Sequence, residues 1–324
     1  FSAEAVIAEE FQKFLMNGAL FQGSKPVMWS PVEKTALAEA EIEYHDHKSD
    51  TIWVPFKIIK GSKALENVKI VIWTTTPWTI PSNKAIAYNK GISYGIYVVK
   101  ETQQESWTKV NDLYVIANSL AEETLTKARV TKFQKIQNVN NDELNEAICS
   151  HPFNTLQDAN GFWDYDVPII EGDHVNEEAG TGFVHTAPSH GADDYDCFVK
   201  RGWIDRLTHN IGEASEFLSH VPFFADLKVF NHKGKEGDAN KAVINKLVEA
   251  DSLIARGRLI HSYPHSWRSK APVIFRNTPQ WFAAIDKKIG DDNTYGETIR
   301  ERALNSINKL VKWTPVTGQN RLRS

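Results

Sequence analysis

A change of hydrophobic period at Thr51 constrains the fold of this chain more than any other feature. From there Ile52, Val54, Phe56 and Ile58 alternate with residues turned the other way, the two-residue repeat of a half-buried strand. Further short strands are predicted at 68–73, 84–88, 93–99, 113–116, 130–133, 167–170 and 182–185. Helical patterns are few. Val6, Ile7, Phe11, Phe14 and Leu15 recur at helical spacing before Gly18, and residues 239–250 form a second such run. A third holds Ile299, Leu304, Ile307, Leu310 and Val311. Ser119-Leu120-Ala121-Glu122 has the spacing of a capping box, and Ser189 stands as the cap of another helix. Many short strands with scattered helices predict a mixed α/β fold built on a closed or strongly curved mixed sheet, not a doubly wound parallel one.

A length of 324 residues suggests two domains or so and allows a sizeable core. The net charge of −4 excludes a polycation that coats nucleic acid, so any such partner needs a local basic face. Cys149 and Cys197 are the two cysteines, too few for a disulfide framework or a cysteine metal knuckle and compatible with a reducing cytosol. No apolar run approaches the roughly 20 residues of a membrane span. Phe1-Ser2-Ala3-Glu4 has neither the basic start nor the apolar stretch of a signal peptide, and with no leading methionine the chain reads as a piece of a longer protein.

Three constellations carry candidate chemistry. In Trp73-Thr74-Thr75-Thr76-Pro77-Trp78-Thr79-Ile80-Pro81-Ser82-Asn83, three hydroxyls leave a strand end and meet a proline that ends sheet pairing. Hydroxyls and freed N–H groups there could hold a water or a developing oxyanion; equally, threonines favour strands and prolines favour turns. In residues 180–195, three glycines, a proline and Ser189 write strand, sharp turn and helix start around His185, His190, Asp193 and Asp194. The aspartates could merely complement a helix dipole. His185, His190 and Asp194 could instead ligate a metal, or His185 and Asp194 could face a ligand, with Asp194 pairing a cationic group. Lastly, residues 252–285 hold no Asp or Glu, yet interleave Arg256, Arg258, Arg268, Lys270 and Arg276 with histidines, Tyr263, Trp267 and further aromatics. Such a stretch could stack and neutralise single-stranded nucleic acid, or supply core rings and solvated cations.

Taken together these strings resemble the isoleucyl-tRNA synthetases of class I. The resemblance rests on Lys-Pro-Val-Met-Trp-Ser-Pro at 25–31, Thr-Ala-Leu-Ala-Glu-Ala-Glu at 35–41, the threonine motif at 73–83, and Gly-Thr-Gly-Phe-Val-His-Thr-Ala-Pro at 180–188. His-Gly-Ala-Asp-Asp-Tyr at 190–195, His-Ser-Tyr-Pro-His-Ser-Trp-Arg at 261–268 and Thr-Pro-Gln-Trp-Phe at 278–282 complete it. The related valyl and leucyl enzymes typically carry arginine at the place of Thr76 and an acid at that of Trp78. The family's His-Ile-Gly-His-like and Lys-Met-Ser-Lys-Ser-like activation motifs are both missing.

The resemblance therefore implies the connective, proofreading insertion: a β-barrel-like α/β editing module with peripheral helices and short flanks of the split nucleotide-binding fold. It implies a connecting segment at 1–48, an editing domain at 49–230 and a second connecting segment at 231–324. Cytoplasmic proofreading follows, namely hydrolysis of valine mischarged on the 3′ end of isoleucine tRNA, with valyl-adenylate as a further substrate. The partners implied are that tRNA and the synthetase catalytic domain, with no membrane. No cofactor is implied, ATP belonging to the full-length enzyme. Among the residues, Asp194 would hold the α-ammonium. Thr74, Thr75 and Thr76 would line the ester and adenosine, Thr75 and Thr76 with Asp194 being the catalytic set and Thr76 orienting water. His185 would border the side-chain pocket, Trp78 and Asn83 would shape it, and His190 is a further candidate. Relatives often carry cysteines where Ser266 and Ser269 stand, which leaves no zinc site there. The rival readings are a metal-dependent hydrolase on His185, His190 and Asp194, and a passive tRNA-binding module.

Overall fold

A computed structural model describes residues 1–288 and 295–323, the side chain of Arg321 excepted. By compactness the chain falls into two units, Lys25–Thr278 and the pair of segments Phe1–Ser24 and Pro279–Ser324.

The strands are β1 (Leu20–Ser30), β2 (Thr35–Ala36), β3 (Ile42–Lys60), β4 (Lys69–Thr74), β5 (Ala85–Tyr88), β6 (Tyr94–Thr102) and β7 (Leu113–Ala117). Then follow β8 (Val130–Val139), β9 (Ile148–Ser150), β10 (Asp166–Glu171), β11 (Val184–Thr186), β12 (Ala255–Ser266) and β13 (Ile274–Ala283). Ten of them form one mixed sheet in the order β12-β3-β9-β10-β5-β11-β4-β7-β6-β8. A further pairing of β3 with β4 turns β3-β9-β10-β5-β11-β4 into a closed circuit of hydrogen-bonded neighbours. That circuit is the barrel-like part of the mixed α/β fold. Its joints are of mixed sense: β10 with β5 and β11 with β4 are parallel, while β3 with β4, β3 with β9, β9 with β10 and β11 with β5 are antiparallel.

The strand expected to be half-buried at β3 is instead buried on both faces from Thr51 to Phe56. Ile52, Val54 and Phe56 are wholly buried, as are Ile70 and Ile72 of β4 and Ile86 of β5. Trp163, Phe153 and Phe224 pack against one another at ring separations of 5.0 to 6.2 Å. Each such ring removes on the order of 150–250 Å² from water, enough to anchor this part of the core.

The amino-terminal half of β3 was not foreseen. Ile42-Glu43-Tyr44-His45-Asp46-His47-Lys48-Ser49 lacks apolar alternation, yet pairs residue for residue with β12, from Ile42 opposite Ser266 to Trp53 opposite Ala255. Cross-strand side chains stabilise it instead: His47 lies against Tyr263 at 4.9 Å and His45 against His265 at 5.2 Å.

Two helix caps differ from expectation. The helix Ala121–Lys127 has Leu120 at its N-cap, and Ser119 donates its hydroxyl to Glu177. The helix Ala192–Lys200 is capped by Gly191, while the Ser189 hydroxyl accepts the Thr208 N–H at 2.7 Å. In both cases a tertiary hydrogen bond displaces the local one.

In the smaller unit, the helix Ser2–Met16 exposes its apolar stripe of Val6, Ile7, Phe11 and Leu15. Phe21 stacks on Phe282 at 5.7 Å. Thr298 and Glu301 form the capping box that starts the helix Ile299–Lys309. No helix among the described residues is long and apolar enough to cross a membrane.

Candidate functional site

The threonine motif begins where β4 ends. Pro77 has no N–H to continue the ladder and opens a 3-10 helix, Pro77–Ser82, closed by Thr79 N donating to Thr76 O at 3.0 Å. This turn folds Thr79 back toward Thr76. The Thr74 and Thr76 hydroxyls lie 3.1 Å apart, Thr76 and Thr79 3.4 Å apart, and Thr79 donates to Thr76 O at 2.8 Å.

The second motif supplies β11 beside it. Gly182 has φ +79°, and a Cβ there would stand 2.4 Å from the Ala117 side chain. Only glycine permits that approach. The chain then enters β11 with His185 aimed inward, 6% exposed. Asn83 Nδ2 donates to Ala85 O at 2.8 Å and to His185 Nδ1 at 2.7 Å. With Nδ1 accepting, the ring proton sits on Nε2 and points at Thr79 Oγ1, 2.9 Å away. Burial, aided by nearby His190, lowers the imidazole to about 3. His185 is therefore a neutral, doubly bonded strut.

His190 is fixed in a similar way. Nδ1 donates to Phe275 O at 3.0 Å, and Nε2 accepts from the Ser82 hydroxyl at 3.2 Å, which in turn accepts from Asn210. Burial lowers this imidazole to about 4. Its ring meets Trp78 edge-on at 4.8 Å, and Trp78 N donates to Asn240 at 3.1 Å. The two motifs thus touch at His185–Thr79, His185–Asn83, His190–Ser82 and His190–Trp78.

Thr75, Thr76 and Trp78 line a narrow cleft with His47, Phe230 and Tyr263. Thr74 is buried just behind it. His185, His190 and Asp194 are not among the lining residues; the histidines form its second layer. Asp194 sits in the first turn of Ala192–Lys200 and accepts the Ala187 N–H at 2.7 Å. It has no cationic partner among the described residues. Burial pushes its carboxyl up to about 7, against the pull of the Ala187 N–H and with help from Asp193.

With both ring nitrogens of each histidine engaged, His185, His190 and Asp194 are not gathered as a ligand set. Among the described residues no group of three or more His, Cys, Asp or Glu is arranged to hold a metal ion. Ser266 and Ser269 have another task. The Ser266 hydroxyl meets both oxygens of Glu33 at 2.9 and 2.8 Å, and Ser269 N donates to it at 2.9 Å. Beyond the expected site residues, the cleft has Thr79 behind it and His47, Phe230, Asn240 and Tyr263 in its wall. Thr79 was legible, three residues after Thr76 in a proline-started turn. His47, Tyr263 and Asn240 come from distant segments and carry no local signal.

The sequence model of tRNA synthetases class I (I, L, M and V) matches residues 1–324, and the chain belongs to that family. It is 51% identical over 328 residues to isoleucine–tRNA ligase of Ruegeria pomeroyi, covering 100% of this chain and 34% of that protein. The isoleucine–tRNA ligase of Rhodopseudomonas palustris is 48% identical, with 99% and 32% covered. The chain thus spans about a third of the length of the curated relatives it matches. Among solved structures, the editing domain of P. falciparum cytosolic leucyl-tRNA synthetase has 12% identity and a TM-score of 0.40, covering 64% of this chain and 99% of that one.

Proposed function

We propose that this chain is the proofreading part of an isoleucyl-tRNA synthetase and hydrolyses the ester of valine mischarged on isoleucine tRNA. The observation that carries this reading is the hydroxyl cluster at a cleft, Thr74–Thr76–Thr79, braced from behind by a neutral histidine. Such a site holds hydrogen-bond donors and acceptors in place without a strong base. An aminoacyl ester is already activated and carries a neighbouring ribose hydroxyl, so ordering a water suffices. Thr76 orients that water, Thr75 borders the ester, and Asp194 takes the α-ammonium. Asp194 lies outside the lining of the threonine cleft and is bonded to the Ala187 N–H, but it has no cationic partner among the described residues, and a cation arriving there restores the ionised form. Trp78 and Asn83 shape the site, with His190 packed against Trp78. His185 limits the depth available to the side chain.

The need for such a site follows from chemistry. Isoleucine exceeds valine by one methylene, worth about 1–3 kcal/mol in an apolar pocket, a general limit for which this enzyme class is itself the standard case. A second, smaller pocket removes the error that the first cannot reject. In this reading the reaction needs no metal and no nucleotide cofactor.

The test is valine release from valyl-charged isoleucine tRNA by the purified chain, without ATP. Thr76→Val keeps the shape and removes the hydroxyl, and is expected to slow release by about 10- to 100-fold. Release by the parent at the uncatalysed rate would refute the function, and an unimpaired Thr76→Val would remove Thr76 from it.

A further inference from the structure

One wall of the threonine cleft has no task in the hydrolysis described above. His47 of β3 and Tyr263 of β12 line the same narrow space as Thr75 and Thr76. Strand pairing puts them there, because residues opposite one another share a face of the ribbon. His47 stands opposite His261, and His45 opposite Tyr263.

The histidines of this face are not equivalent. His45 bonds Glu43 at 3.1 Å, His261 bonds Ser49 at 2.9 Å, and His265 Nδ1 donates to Tyr263 O at 2.8 Å. Among the described residues, neither ring nitrogen of His47 has a hydrogen-bond partner. Its ring is held by contact, 4.9 Å from Tyr263, 5.8 Å from His265 and 6.2 Å from Phe230.

The other titratable groups that line the cleft are committed elsewhere. Arg258 binds Asp50 at 3.2 Å, and Asn240 donates to Glu236 at 3.3 Å. Burial raises the Tyr263 phenol, and Lys48 can only donate. His185, His190 and Asp194 lie outside the lining. Among the described residues of the lining, His47 thus combines a free ring nitrogen with a titration in the physiological range. Burial, followed by the charges of His265 and His261, lowers its imidazole from the usual 6.5, so the ring is neutral and able to accept a proton at neutral pH. So weak a base is enough for an ester that is already activated.

We propose that His47 is the proton acceptor of the hydrolysis, drawing a proton from the water that Thr76 orients. The water oxygen attacks the ester carbonyl carbon while its proton passes to the imidazole. The bond from that carbon to the ribose oxygen then breaks, and the imidazolium returns the proton to the departing oxygen. Atoms and charge balance without a further reactant. The proposal deepens the reading of the cleft as an ester-hydrolysis site and rests on it.

The pH dependence of valine release from valyl-charged isoleucine tRNA tests it, with the uncatalysed rate subtracted at each pH. The parent rate should rise through the imidazole range and level off above it. His47→Ala should lower kcat by about 100-fold at little-changed KM and lose that acid limb. Free imidazole should restore part of the rate, which also shows that the variant is folded. His47→Gln keeps hydrogen-bonding capacity without basicity, so it should be as slow as the alanine variant. A positioning role predicts rescue by glutamine and an acid limb unaltered in both variants. That result, or either variant working at the parent rate, would overturn the proposal. A parent that releases no valine at any pH would refute the reading of the cleft itself, whereas an active parent with an equally active His47→Ala removes His47 and leaves that reading standing.

Discussion

His185 Nε2 stands 2.9 Å from Thr79 Oγ1, and the Thr79 hydroxyl donates in turn to Thr76 O at 2.8 Å. The imidazole is thereby spent on holding the threonine turn. Held neutral at about 3, it is no proton acceptor in the neutral range. Replacing His185 by alanine removes a wall behind Thr79 much larger than one methylene. The expected result is new hydrolysis of the isoleucyl ester with partial retention of the valyl one, read as a ratio of the two deacylation rates. A parallel fall of both rates at constant ratio would mean that His185 serves by bracing Thr79 and not by limiting the depth of the site.

Asp194 connects stability to function. Its carboxyl titrates at about 7 in the fold against an ordinary 3.8. A raised acid favours the protonated form, so its ionisation opposes folding increasingly as the pH climbs from the ordinary value toward that of the folded group, and fully above it. Asp194→Asn should therefore stabilise the chain, by about 2 kcal/mol above pH 7 after allowance for partial exposure. The gain should shrink as the pH falls and vanish below the ordinary value. The same variant should lose valyl-ester hydrolysis. Urea unfolding at several pH values, beside a deacylation assay, checks both; a variant no more stable than its parent would show that Asp194 is not strained in the free protein.

The middle of the fold was readable because its strands are buried on one or both faces, which forces the apolar period on the sequence. Ile52, Val54 and Phe56 announce β3, and Ile70 and Ile72 announce β4. The ribbon of β3 with β12 was unreadable for the opposite reason. His45, His47, Tyr263 and His265 stabilise it across strands, and no single segment records that pairing. The site divides the same way. Thr74–Asn83 and His185–Asp194 stand in two short motifs, and the contacts between His185, Thr79 and Asn83 join them. The cleft wall contributed by His47, Phe230 and Tyr263 depends on tertiary closure alone.

Glu33 gives a test away from the site. Burial works to raise its carboxyl, but the hydroxyls of Ser30, Ser266 and Ser269 outweigh it and hold the group below its usual 4.5. Ser266→Ala should cost about 1–2 kcal/mol of stability. A depressed acid contributes stability above its unfolded value and loses it as the pH falls through the folded one. The loss on substitution should thus be full at pH 7 and fade in acid below the usual carboxylate range, as chemical denaturation would record. A loss independent of pH would mean that packing, not the charged hydrogen bonds, is what Ser266 supplies.

Chelation probes the histidines. With His185 and His190 bonded through both ring nitrogens to protein partners, a chelator such as EDTA should leave valyl-ester hydrolysis unchanged. Activity lost to chelator and restored by zinc would require a rearranged site and a metal mechanism.

Discrimination between the two amino acids tests the central claim most directly. The measurement is the rate at which the purified chain deacylates valyl-charged and isoleucyl-charged isoleucine tRNA under identical conditions. A proofreading cleft of limited depth predicts rapid release of valine and survival of the isoleucyl ester, a preference of at least about tenfold for one methylene. Equal release of both, or release of neither, would contradict the account.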